Sequence, residues 1–151
     1  MLPGGSSPAQ ESRLEGVIRN VGTAPVGREV SLRDDEGKST PLAGALTPEL
    51  TRLAGARVAV WGRTAERGRF AVSRYEILSI DGAPVRLGTV QRVAGDTVLL
   101  RTEMGDLVRL PGIALLGTPF REGQKIWVQG TEQRVGGELQ VKVHKFGVLT
   151  P

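Results

Sequence analysis

The 151-residue chain contains no cysteine. Disulfides, thiol catalysis and cysteine-ligated zinc are therefore excluded. The redox compartment stays open, because a cysteine-free chain persists on either side of a membrane. Histidine is nearly as scarce: His144 is the only one, so a Ser-His-Asp relay or a two-histidine metal site would have to be built around a single ring. Val141 and Val143 alternate beside it and Lys142 and Lys145 flank it, a pattern that puts His144 on the outward face of a strand. Only six residues are Phe, Trp or Tyr, few for a protein that would stack single-stranded bases on aromatic platforms. No apolar run approaches the roughly 20 residues of a membrane span.

What the chain does have is an internal repeat. Shifting the sequence by 68 positions lays Arg28–Gly62 on Asp96–Gly130 without a gap, and nine of those 35 positions are identical: Val30/Val98, Leu32/Leu100, Arg33/Arg101, Gly37/Gly105, Leu42/Leu110, Gly44/Gly112, Gly55/Gly123, Val60/Val128 and Gly62/Gly130. Apolar residues and glycines dominate the matches, the types that fix a buried face or a turn. A lone module of about 70 residues would be marginal, since small domains bury a low fraction of their surface. The charge is modest. Residues 1–82 carry 11 Lys/Arg against 10 Asp/Glu and residues 83–151 carry 9 against 6, which accounts for the net +4. That is a mild basic balance and not a nucleic-acid-binding tail.

Four segments follow. Residues 1–12, rich in Gly, Ser and Pro, read as a flexible tail. Residues 13–78 form a first module, 79–85 a linker with Asp81-Gly82 and Ala83-Pro84, and 86–151 a second module. In the first, strands are expected at Leu14–Val21, Val30–Arg33, Lys38–Leu42, Ala56–Gly62 and Phe70–Leu78, with a hairpin turn at Asp34-Asp35-Glu36-Gly37. Between the third and fourth strands, Thr47-Pro48-Glu49 opens a helix, Thr47 capping it and Pro48 taking its first position. In the second, strands are expected at Arg86–Val93, Thr97–Thr102, Asp106–Leu110, Lys125–Gly130 and Glu138–Val148. There the helix gives way to a turn or loop at Leu116–Phe120.

Strand, hairpin, helix, strand, strand is the order of a five-stranded Greek-key barrel, the OB fold. Leu14-Glu-Gly-Val-Ile-Arg, Val30-Ser-Leu-Arg-Asp-Asp-Glu-Gly and Leu53-Ala-Gly-Ala-Arg-Val-Ala-Val-Trp-Gly62 resemble small bacterial OB-fold modules, particularly exported ones. The fold expected is all-β, two tandem OB-like barrels of five strands each. The resemblance covers about 65 residues of each half and consists of structural positions, so it implies a fold and not a mechanism. The weak helix of the second copy leaves an SH3-like barrel open there.

The candidate chemistry is sparse. Gly37-Lys38-Ser39-Thr40 mimics the end of a phosphate-binding loop, but Leu32 stands where the first glycine belongs and the segment lies in a hairpin. Asp34-Asp35-Glu36 offers oxygen ligands to a hard cation, yet position 45, where a closing Glu belongs, is Ala; an acidic turn is the plainer reading. For Trp61 and Trp127 the aligned phases differ, which would put one in the core and leave the other partly exposed. Strand parity with Val58, Val60, Ile126 and Val128 instead places both on the opposite face. Both are expected to pack structurally, between modules or on the helix, ahead of stacking bases.

A ligand groove, if present, would use Arg63, Arg67 and Arg69 around the loop between strands four and five. Arg33 and Arg101 at equivalent ends of the second strands, with Arg109, Lys142 and Lys145, would add to it. No cofactor or metal is called for. The function expected is a non-catalytic binding or assembly module for a protein partner or small ligand, placed in the periplasm or envelope ahead of the cytoplasm. Single-stranded nucleic-acid binding along the basic groove is the alternative.

Overall fold

The computed structural model describes residues 11–21, 29–113, 117 and 119–150. The chain divides into two compact units, Met1–Asp81 and Gly82–Pro151. In the first, β1 (Ser12–Val21), β2 (Glu29–Arg33), β3 (Ser39–Ala43), α1 (Thr47–Thr51), β4 (Arg57–Thr64) and β5 (Phe70–Ser79) build a closed barrel in the order β1-β2-β3-β5-β4. In the second, β6 (Arg86–Ala94), β7 (Thr97–Thr102), β8 (Leu107–Leu110), β9 (Lys125–Val135) and β10 (Glu138–Val148) close in the same sense, β6-β7-β8-β10-β9. All neighbours are antiparallel except β3 with β5 and β8 with β10. This is the five-stranded OB arrangement in both units.

Alternation explains the cores. In β2 and β4, Val30, Leu32, Val58 and Val60 point inward and are at most 4% exposed, joined by Leu42, Phe70, Val72, Tyr75 and Ile77. Val98, Leu100, Val108, Leu110, Ile126, Val128 and Val141 fill the second barrel. Each such burial contributes about 1.5–3 kcal/mol. Backbone joints recur as well. Gly55 N–H donates to Ile18 O (2.8 Å) and Ile18 N–H to Ala56 O (3.0 Å); Gly123 N–H donates to Val90 O and Val90 N–H to Gln124 O, both 2.8 Å. Gly16 and Gly88 match in the same way, for a side chain at either would collide with the carbonyl of Arg33 or Arg101 respectively, the latter at 2.6 Å.

The repeat changes offset after Gly62. Val60 lies opposite Tyr75, whereas Val128 lies opposite Phe146, so the last strands correspond at 71 positions and not 68. The difference comes from the connection. In the first barrel β4 and β5 are joined by a short 3-10 turn, Glu66–Gly68; in the second the hairpin continues to a turn at Gly136 and Gly137, both with positive φ. The fourth strand expected to stop at Gly130 therefore runs to Val135. Hairpin pairing carries it on, although residues 131–138 are exposed and leave no core-facing pattern.

Two local expectations are corrected. α1 is five residues long and Thr47 does not cap it: Leu46 stands at the N-cap, and the Thr47 hydroxyl donates to Gly44 O (3.0 Å). Pro48 does occupy the first turn, and Leu50 is fully buried. Neither tryptophan enters a core. Trp61 and Trp127 are both half-buried on the outer face, as parity requires. The turn or loop expected at Leu116–Phe120 lies largely outside the described residues; Ile113 and Phe120 around it are buried.

Candidate binding faces of the two barrels

The arginines expected to share one groove are distributed. In the first barrel Arg63 is the penultimate residue of β4, Arg67 sits in the 3-10 turn with φ 61° and Arg69 follows it. Arg69 is ion-paired to Glu29 at the start of β2 (3.3 Å). Arg33 ends the same strand, beside the Asp34–Gly37 turn, so the length of β2, about 13 Å over four residues, separates it from that loop. Among the predicted residues of this barrel, then, the structure brings together Arg63, Arg67 and Arg69 and leaves Arg33 apart.

The acidic turn has its own work. One oxygen of Asp34 accepts from Glu36 N–H (3.0 Å) and Lys38 N–H (2.9 Å), an Asx turn. Asp35 meets Arg57, whose guanidinium also holds Glu15 (2.9 Å). Hydrogen bonds from Arg57 hold both carboxyls below their ordinary values, Glu15 with help from Arg13, and these two acids raise Arg57 in return. Among the described residues no three His, Asp or Glu side chains gather as metal ligands.

Trp61 is clasped. It lies opposite Arg13 on β1 and Arg74 on β5, and their guanidinium carbons stand 5.5 and 3.8 Å from its ring centroid. Both cations use the ring's negative π-face. Trp127, one row further along in the second barrel, lies against Gly147. Phe70, Tyr75 and Phe120 are buried, and Phe146 packs on Phe120 with centroids 5.3 Å apart. His144 is exposed, and its Nε2 is 3.1 Å from the Thr131 hydroxyl.

The second barrel presents a more coherent face. Register places Arg92 opposite Leu99, Leu99 opposite Arg109, and Arg109 beside Gln140 on β10. A single row thus crosses β6, β7, β8 and β10. On the same side of β7, two residues from Leu99, lies Arg101, opposite the exposed Leu107 (47%). Arg101 Nε donates to Gln91 (2.7 Å) and Arg109 is ion-paired to Glu138 (3.2 Å). Lys142 lies further along β10, opposite Thr131, and Lys145 lies opposite Gln129 beyond the bulge. Of the residues expected in the groove, Arg101 and Arg109 meet here. Arg92 was missed in the sequence because a bulge between Val90 and Arg92 shifts its phase.

The matching row of the first barrel is Arg19, Ser31 and Pro41. Ser31 is only 5% exposed, and among the described residues its hydroxyl has no hydrogen-bond partner. The two barrels share a fold and differ in what this face offers.

No family model and no curated protein matches the chain. Among solved structures, a deletion mutant of the single-stranded DNA binding protein from Thermus aquaticus aligns over 91% of this chain and 93% of that one, at 13% identity and a TM-score of 0.32.

Proposed function

We propose that the chain is a non-catalytic binding module whose second barrel takes an acidic, partly apolar segment of a protein partner on the outer face of β6, β7 and β8. The observation that supports it is the Arg92–Leu99–Arg109 row with Arg101 and Leu107 beside it. Guanidinium groups recognise carboxylates with two parallel hydrogen bonds, and Leu99 and Leu107 give apolar side chains a place to desolvate. An extracytoplasmic location belongs to the same reading, on the resemblance to exported OB modules.

The alternative is a single-stranded nucleic acid on the same arginines, which would neutralise phosphates. The apolar residues between the cations favour the peptide. The aromatic rings are buried, clasped by arginines or packed on glycine, and so offer no ready platform to bases.

Titration of a labelled Glu/Leu peptide and of a labelled oligothymidylate at two salt concentrations tests the choice. The Arg92→Ala/Arg109→Ala variant should bind the peptide about tenfold more weakly, equivalent to about 1.4 kcal/mol. Tight oligonucleotide binding with a steep salt slope, and none to the peptide, would move the function to nucleic acid.

A further inference from the structure

The β9–β10 arm has an open side. β10 pairs with β9 along its whole length, from Val148 opposite Ile126 to Glu138 opposite Val135. On its other edge β9 pairs with β6 only from Lys125 to Val128. Among the described residues no ladder continues on that edge from Thr131 to Val135, and all five of these side chains are exposed. An unpaired edge of this length is a template for another strand.

We propose that this edge pairs antiparallel with the same edge of a second copy of the chain, about a two-fold axis at Gln133. The argument is charge register. A two-fold axis perpendicular to a sheet keeps each side chain on its own face, so residues pair only with partners of the same parity. Three registers are then available along Thr131–Val135. Centring on Glu132 opposes two glutamates and centring on Arg134 opposes two arginines, and like charges directly opposite are destabilising. Centring on Gln133 sets Glu132 opposite Arg134 twice, with Thr131 opposite Val135.

Glu132 is already positioned for this. Its carboxylate takes Arg86 Nε and Nη2 at 2.7 and 2.9 Å, yet Glu132 keeps 42% of its side chain exposed. A carboxylate has lone pairs for a second guanidinium. Val135, 48% exposed at the arm's tip, gains the Thr131 methyl of the other copy as a neighbour.

The absence of cysteine makes the test direct. A Gln133→Cys variant carries one thiol, which at the two-fold faces its own copy across paired strands, at a Cα separation a disulfide accepts. Mild oxidation should yield a covalent dimer, whereas Lys38→Cys, in the first barrel, should stay monomeric. In sedimentation velocity the unmodified chain should show a concentration-dependent species at twice its 16.1 kDa mass. Arg134→Glu should remove that species and the exchange Glu132→Arg/Arg134→Glu should restore it, though the exchange cannot restore the pair with Arg86. A wild-type monomer throughout the micromolar range would overturn the proposal. So would a charge exchange that fails to recover the dimer in a variant whose circular dichroism is native.

Discussion

Trp127 lies across bare backbone at Gly147, its direct partner on β10: a Cβ built at position 147 would stand 2.6 Å from the indole Cε2. The indole covers the outer sheet only because its neighbour has no side chain. Gly147→Ala should therefore expel the ring and destabilise the second barrel by about 1–3 kcal/mol, the usual cost of overpacking. In a Trp127→Ala background the same substitution should cost much less. Denaturant titrations of the four proteins measure that coupling, and additive costs would rule out the contact as its source.

Arg57 ties the Asp35 turn to β1 through Glu15, and both carboxyls are held below their ordinary values of 3.8 and 4.5. A depressed carboxyl adds stability that is present above its unfolded value and lost as pH falls through its folded one. Arg57→Gln should therefore lower the Tm at neutral pH, and the gap to wild type should shrink on acidification below about pH 4.5. Thermal scans between neutral pH and pH 2.5 check this. A gap that widens in acid would reverse the sign.

The sole tyrosine is buried, and its hydroxyl donates to Glu49 of α1 at 2.7 Å. That hydrogen bond joins β5 to a helix too short to persist alone. Tyr75→Phe should cost about 1.5 kcal/mol, in the range for a bond to a charged acceptor. Urea unfolding of the first barrel gives the number, and adding Glu49→Gln to the Tyr75→Phe variant should recover none of it.

Ser31 buries a hydroxyl that has no partner among the described residues. Such a group costs about 1–3 kcal/mol relative to a satisfied one. Ser31→Ala should leave the first barrel equally stable or raise its Tm, unlike most buried substitutions. A clear drop in Tm would mean that the hydroxyl is satisfied.

The barrels were legible in the sequence because their determinants are local and repeated. Val30/Val98, Leu32/Leu100 and Val60/Val128 alternate with outward residues, and Gly55/Gly123 mark the same joint. The binding faces were less legible, because an outer face is set by register between strands distant in sequence. One bulge hid Arg92 from the row it joins, and the length of β2 sets Arg33 apart from the loop it was grouped with. The arm escaped notice because exposed strand residues satisfy no core pattern; only the Gly136-Gly137 pair between alternating segments signalled the hairpin.

Each barrel also has a seam. Four of its five junctions are antiparallel, but the fifth is a parallel contact only two residue pairs long: Leu42 with Phe70 and Ala43 with Ala71 in the first, Leu139 with Val108 and Gln140 with Arg109 in the second. The shortest ladder is the one expected to part most readily, so amide exchange within the strands of each barrel should begin there. In the second barrel the seam falls between Arg109 and Gln140. A molecule that gripped both residues would act as a stitch across this short join, and its arrival should be read as slower exchange along β8 and β10.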